Sequence, residues 1–307
     1  MNPIRGILLK ICSVAVFVAM AALIKATSAH VPAGEAVFFR SFFAIPVIFV
    51  WLALTGELSG GIRVQSPMGH VWRGLVGTTA MGLGFAGLGL LPLPEVTAIG
   101  YAAPLLTVIF AAMFLGEEVR AFRLGTVALG MVGVLIVLSP RLAATPDAAA
   151  SSREALGAIV VLMGAVCAAL AQVFVRKLVA TERTSAIVFW FSVTASALSL
   201  LTLPFGWVVP TPAEATLLVA AGLCGGVGQI LLTSSYRHAD ASVVAPFEYA
   251  SMLLAIGIGY AVFGEVPTLT MLAGAALVIL AGILIIWREH QLGLERDRQR
   301  KAMTPQG

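Results

Sequence analysis

Apolar runs of about 20 residues recur from one end of this chain to the other, each long enough to cross a hydrocarbon core about 30 Å thick. Such a core holds no water for backbone N–H and C=O groups, so a spanning segment is a helix or part of a closed barrel. The runs are continuously apolar, without the alternation of a barrel strand, and the chain reads as an all-α polytopic membrane protein. Ten transmembrane helices are predicted, at 6–24, 34–54, 71–90, 96–115, 124–138, 155–175, 185–204, 213–235, 242–263 and 268–287. Composition agrees: 59% of residues are hydrophobic and 11% charged, where a soluble domain carries about 25% charged.

Between the fifth and sixth spans, 139–154 holds Pro140, Pro146, a run of alanines and Ser151-Ser152. This reads as a linker. It separates a first five-helix unit, 6–138, from a second, 155–287, followed by a solvated tail, 288–307. With the amino terminus inside, one side of the membrane collects Arg5, Lys10, Arg63, Arg73, Arg120, Arg123, Arg176, Lys177, Arg183, Arg237 and the arginines of the tail. The other side receives only Lys25, Arg141 and Arg153. The positive-inside rule then predicts both termini in the cytoplasm, as in a bacterial inner-membrane protein. The net charge of +4 does not point to nucleic acid, because no single face gathers the basic residues. Cys12, Cys167 and Cys224 lie in separate spans without ligand spacing, which indicates packing rather than a metal or redox site.

An internal repeat organises the spans. A shift of 148 lays Tyr101-Ala102-Ala103-Pro104-Leu105-Leu106 on Tyr249-Ala250-Ser251-Met252-Leu253-Leu254, Gly116-Glu117 on Gly264-Glu265, and Gly74 and Gly77 on Gly222 and Gly225. A shift of 151 lays Gly6 on Gly157 and Lys25 on Arg176. The first run has an arginine before it and small residues after it, as a signal peptide would, but its counterpart in the second half argues that it is retained. Five spans per unit is an odd number, so the second copy enters from the opposite side. Inverted repeats of this kind characterise secondary transporters, whose site lies between the halves near the membrane centre.

Gly82-Leu83-Gly84-Phe85-Ala86-Gly87 matches G-x-G-x-x-G, but it lies inside an apolar span with neither the strand nor the acidic residue of a dinucleotide site. Close helix packing is the expected use of these glycines, and of Gly222 and Gly226. Arg40 and Glu248 are the two charged residues predicted well inside spans. Each costs at least about 2.5 kcal/mol at a helix centre unless it has a partner or water. A shared aqueous cavity is the expectation for the two, with snorkelling to the outer interface as the other reading of Arg40. Glu248 is a candidate for proton exchange, or equally a carboxylic acid bonded to a backbone carbonyl. Pro104 and Pro246 predict kinks beside Tyr101 and Tyr249. Among the polar residues within spans, Gln172 and Gln229 are the better site candidates. Phe38, Phe39, Phe42, Phe43, Phe189, Trp190 and Phe191 are core or lipid-facing by default, with Trp190 retained as a ring on which a planar solute could stack. The candidate substrate-binding set is therefore Arg40, Tyr101, Gln172, Trp190, Gln229, Glu248 and Tyr249.

Several stretches resemble the drug/metabolite transporter superfamily, in particular its EamA type. They are Phe38-Phe39-Arg40-Ser41-Phe42-Phe43, the corner Leu91-Pro92-Leu93-Pro94-Glu95, the Gly-Glu twins, and Tyr236-Arg237-His238-Ala239-Asp240-Ala241-Ser242-Val243-Val244-Ala245-Pro246-Phe247-Glu248-Tyr249. The last of these looks like the branch that includes riboflavin and S-adenosylmethionine uptake carriers, and Met1-Asn2-Pro3-Ile4-Arg5-Gly6 leans toward the riboflavin members. The resemblance implies two inverted five-helix EamA repeats around a central cavity, no bound cofactor, and a small-molecule substrate, with riboflavin uptake as the named expectation. The alternatives are a carrier or exporter of S-adenosylmethionine or amino acids and, less favoured, a channel-like subunit. The spans hold no H-E-x-x-H or paired-aspartate motif and the chain has no P-loop pattern, so neither an intramembrane enzyme nor an ATP-driven pump is indicated.

Overall fold

The computed structural model describes residues 3–58, 60–115, 121–142, 148–179, 181–238 and 245–303. These residues form α1 (Pro3–Thr27), α2 (Ala33–Phe42), α3 (Ala44–Leu54), α4 (Pro67–Leu88), α5 (Leu93–Gly100), α6 (Ala102–Leu115), α7 (Ala121–Leu142), α8 (Ala148–Val179), α9 (Thr184–Leu200), α10 (Pro212–His238), α11 (Ala250–Phe263) and α12 (Leu269–Met303). Two 3-10 turns accompany them, Leu203–Phe205 and Ala245–Tyr249. Seven stretches are long and apolar enough to cross a membrane: Ile4–Thr27, Ala33–Leu54, Leu93–Phe110, Leu124–Arg141, Ser152–Val175, Pro212–Leu232 and Leu269–Arg288. Thr184–Leu200 and Phe247–Phe263 are shorter apolar helices. The glycine-rich α4 carries His70 and Arg73 in its first turns, which lowers its hydropathy.

Proline explains where the predicted spans break. Pro46 lacks an N–H for the carbonyl of Phe42, and α2 ends at Phe42; Pro104 does the same to Gly100, and α5 ends at Gly100. In the ninth span a 3-10 turn containing Pro246 precedes α11. Pro140 behaves differently from the linker expectation, because α7 continues through it to Leu142. The carbonyl freed by Pro140 belongs to Ile136, and the Ser139 hydroxyl donates to it at 2.9 Å. With α8 starting at Ala148, helix enters the predicted linker from both sides, while 143–147 lie outside the described residues. The tail is likewise helical as far as Met303.

Three helix pairs pack most extensively: α1 with α10, α4 with α8, and α7 with α12. Glycine permits the last crossing. A Cβ on Gly133 would stand 2.8 Å from the Gly274 carbonyl oxygen, and one on Gly274 would stand 2.6 Å from that of Gly133. The first two pairs share a register. Phe17 lies against Gly228 in α1–α10, and the two repeat shifts carry that contact to Ala168 and Ala80. In α8–α4, Gly164 lies against Ala80, Leu83 and Gly84, one helical turn away in the same antiparallel frame. One core joins α5, α6, α7, α8, α11 and α12, and a second joins α1, α2, α4 and α10. Val132, Leu135, Ile159, Met163, Leu280 and Ile283 stand exposed on the outer surface, as side chains facing lipid rather than water would.

Candidate functional site

Arg40 lies seven residues into α2, roughly 10 Å along the axis at 1.5 Å per residue, and is 6% exposed. It does not snorkel. Its side chain runs toward α10, where a Cβ on Gly225 would come within 3.0 Å of Nε, and its Cζ stands 5.8 Å from the centre of the Phe191 ring on α9. On the same ring lies Arg73 of α4, with its Cζ 3.9 Å from the ring centre. A Cβ on Gly77 would stand 2.2 Å from Arg73 Nη1 and 2.9 Å from Phe191. Gly77 and Gly225, matched by the repeat, thus each make room for one guanidinium.

The charge balance at this place is unusual. Among the described residues neither arginine has a hydrogen bond or an ion pair, and Arg40 Nε, Arg73 Nε and Arg73 Nη1 are buried without partners. Stacking on one ring puts the two guanidinium carbons within about 10 Å of each other, which at an effective dielectric of about 20 is a repulsion of at least roughly 1.5 kcal/mol. The same two helices supply two further buried hydroxyls without partners, Ser41 on α2 and Thr78 on α4. Buried polar groups are nearly always satisfied, so four unsatisfied side chains on these two helices are a departure that calls for a cause. Cation–π contact with Phe191 offsets part of the cost, about 2 kcal/mol where the pair is desolvated.

Glu248 is elsewhere. It lies within the 3-10 turn before α11 and forms an ion pair with Lys10 of α1, whose side chain is 2% exposed against 48% for Glu248. The expected common cavity of Arg40 and Glu248 is therefore replaced by two separate clusters, because Lys10, counted as a loop charge, lies deep in α1 and supplies the counter-charge. Beside this pair the Tyr101 and Tyr249 rings meet edge to face at 5.1 Å. The Tyr101 hydroxyl bonds Ser251 Oγ at 2.5 Å, and Ser251 Oγ donates to the Glu248 carbonyl at 2.7 Å. Tyr249 packs on α12 at Gly282, where a Cβ would fall 1.5 Å from the phenol oxygen. The repeated tyrosines thus meet at the break between α5 and α6 and at the start of α11.

The other predicted residues are dispersed. Trp190 donates from Nε1 to the Ile62 carbonyl at 2.9 Å, which ties α9 to the loop before α4; the ring at the arginines is its neighbour Phe191. Gln172 is exposed on α8 and Gln229 half-buried on α10. Gly116-Glu117 and Ala239–Val244 (residues 239–244) lie outside the described residues. At the far end of α1, Lys25 pairs with Glu265 at 2.9 Å, and Arg141 holds Glu95 through two bonds of 2.8 and 2.6 Å. The basic residues assigned to the sparse side are in this way largely neutralised. A shallow apolar cleft there, lined by Ile24, Val31, Phe85, Leu90 and Arg153, includes none of the predicted site residues.

Arg73 and Lys10 lie near the predicted span ends, where they read as loop charges, and Phe191 reads as a core or lipid-facing ring because nothing in the sequence says which of three adjacent aromatics faces the interior. Ser66-Pro67 is a helix-start signal that would have placed Arg73 in the second turn of α4 rather than at its edge.

Comparison with known proteins bears on what such an interior does. Two segments, 4–139 and 155–287, each match the EamA-like transporter family. The chain is 32% identical to the pseudopaline exporter of Pseudomonas aeruginosa strain UCBPP-PA14, over 91% of this chain and 95% of that protein. It is 28% identical to the S-adenosylmethionine uptake transporter of Rickettsia bellii, over 84% of each, and 28% identical to the riboflavin transporter of Rhizobium johnstonii, over 87% of this chain and 84% of that one. A crystal structure with 20% identity superposes with a TM-score of 0.66, covering 94% of this chain and 98% of its own.

Proposed function

Since the chain belongs to the EamA-like transporter family, we propose that it is a secondary carrier of a small organic metabolite, working by alternating access between two inverted five-helix units, 6–138 and 155–287. The observation that carries this reading is the pair of charged clusters in the membrane interior, Arg40 with Arg73 and Lys10 with Glu248, since intramembrane charges mark solute and ion pathways. Ten crossings are supported by where the connections meet. Lys25 near the α1–α2 turn bonds the Leu91 carbonyl between α4 and α5 and the Glu265 carboxylate between α11 and α12. At the other end, Glu182 accepts from the backbone of Gln65 and Ser66, and Ser185 donates to Gly61. The shared register of α1–α10 and α4–α8 supports the inverted relation. Loop charge supports cytoplasmic termini in a bacterial inner membrane.

For the solute, riboflavin uptake is the reading of the amino-terminal resemblance. An S-adenosylmethionine or amino-acid-like metabolite, moved in either direction, is the second reading, favoured by the unpaired guanidiniums at Arg40 and Arg73. Counterflow in proteoliposomes tests the carrier itself: preloaded solute should drive uptake of labelled solute, whereas conductance without exchange would point to a channel. Growth of a riboflavin auxotroph on limiting vitamin, with and without the protein, tests the first solute.

A further inference from the structure

We infer that Arg40 and Arg73, cradled by Gly225 and Gly77 against the Phe191 ring, form a two-point anion site that takes the carboxylates of a small organic acid. The inference rests on the carrier reading above and names its solute class. Two buried cations facing each other without a counter-charge are costly in any protein interior and more so in a bilayer, so the arrangement is stable in use only if an anion enters it. Each guanidinium presents a planar fork that matches a carboxylate through two parallel hydrogen bonds. Arg40 Nε, Arg73 Nε and Arg73 Nη1 have no partner, and Ser41 and Thr78 add unpartnered hydroxyls on the same two helices. Phe191, with its ring centre 3.9 Å from Arg73 Cζ, holds one guanidinium in place while Arg73 Nε and Nη1 stay without a partner. The ligand has to supply negative charge at two points, which a dicarboxylate does and a neutral ring solute does not. The site is shared between the units, with α2 and α4 from the first and Phe191 of α9 and Gly225 of α10 from the second, so an anion bound there contacts both elements that rock past each other.

The test uses the purified full-length protein in detergent and in proteoliposomes. Succinate and glutamate should raise the unfolding temperature beyond sodium chloride of equal ionic strength and beyond neutral succinamide, and Arg40→Gln and Arg73→Gln should each remove that gain. Protection by succinamide equal to that by succinate, or carboxylate protection that survives both substitutions, would overturn the inference. Counterflow separates this failure from failure of the carrier reading. Exchange of riboflavin that is indifferent to carboxylates and to Arg73→Gln keeps the carrier and removes the anion site, whereas absence of exchange for every solute of the panel removes the carrier.

Discussion

Lys10 and Arg73 are cations at similar depth from the same face of the molecule, seven residues into α1 and six into α4, yet their surroundings are opposite. Lys10 meets the Glu248 carboxylate, whereas Arg73 shares the Phe191 ring with a second arginine. A charge removed from water needs a counter-charge, and the described residues provide one in the first place and none in the second. The first cluster is complete within the described residues and joins α1 to the turn before α11. The second has no counter-charge among the described residues, and on the inference above an anionic solute takes that role.

That contrast can be broken most severely at the paired cluster. Lys10→Glu would place two carboxylates in contact and is expected to lose about 2–3 kcal/mol, below the range for a fully buried pair because Glu248 is half-exposed, read as loss of monodisperse protein in detergent. The double exchange Lys10→Glu with Glu248→Lys should recover most of it, and no recovery would mean that the pair is not what holds α1 there. Gly225→Val comes next. Its side chain would press on Arg40 and on Met20, whose Sδ already stands 3.3 Å from a Cβ at this position, at a cost of roughly 1–3 kcal/mol for overpacking. Exchange activity should fall by far more than this stability loss implies, and normal activity would separate Arg40 from transport.

Glu248→Gln keeps the shape of the paired cluster and removes its charge. Unchanged transport with unchanged pH dependence would exclude a proton role for this carboxyl group, while a flattened pH profile would support it. The smallest effect is expected from Trp190→Phe, which gives up the bond to the Ile62 carbonyl and should cost about 1 kcal/mol with little change in the concentration of solute that half-saturates exchange. A large change in that concentration would return Trp190 to the binding site.

Much of this molecule was legible as sequence, and the parts that were not share a cause. Uninterrupted apolar runs sufficed for an all-helical membrane protein, and Pro104 marked a kink beside Tyr101, since a missing N–H acts within four residues; the break at Pro46, inside what reads as one span over 34–54, came only with the structure. The repeat was legible because it is a property of order along the chain, and it brought Tyr101 and Tyr249 to attention before their rings were seen in contact. Arg40 and Glu248 were also found, as charges too deep to be ordinary. Their partners were not. Lys10 and Arg73 sit near span ends, where a residue or two of uncertainty in the boundary decides between loop and interior.

The sequence by itself determined the solvent of this protein, the helical class, the two-unit organisation and the expectation of a carrier, because hydropathy, proline and self-similarity are local or linear properties. Only the tertiary structure decided which buried charges meet. Lys10 and Glu248 are 238 residues apart, and whether they touch depends on the rotation and axial offset of α1 against the turn before α11. The same holds for Arg40, Arg73 and Phe191, which three helices bring onto one ring, and for Gly77 and Gly225, whose missing side chains leave the space the guanidiniums occupy. No periodicity encodes such rotations; side-chain packing across the helices sets them.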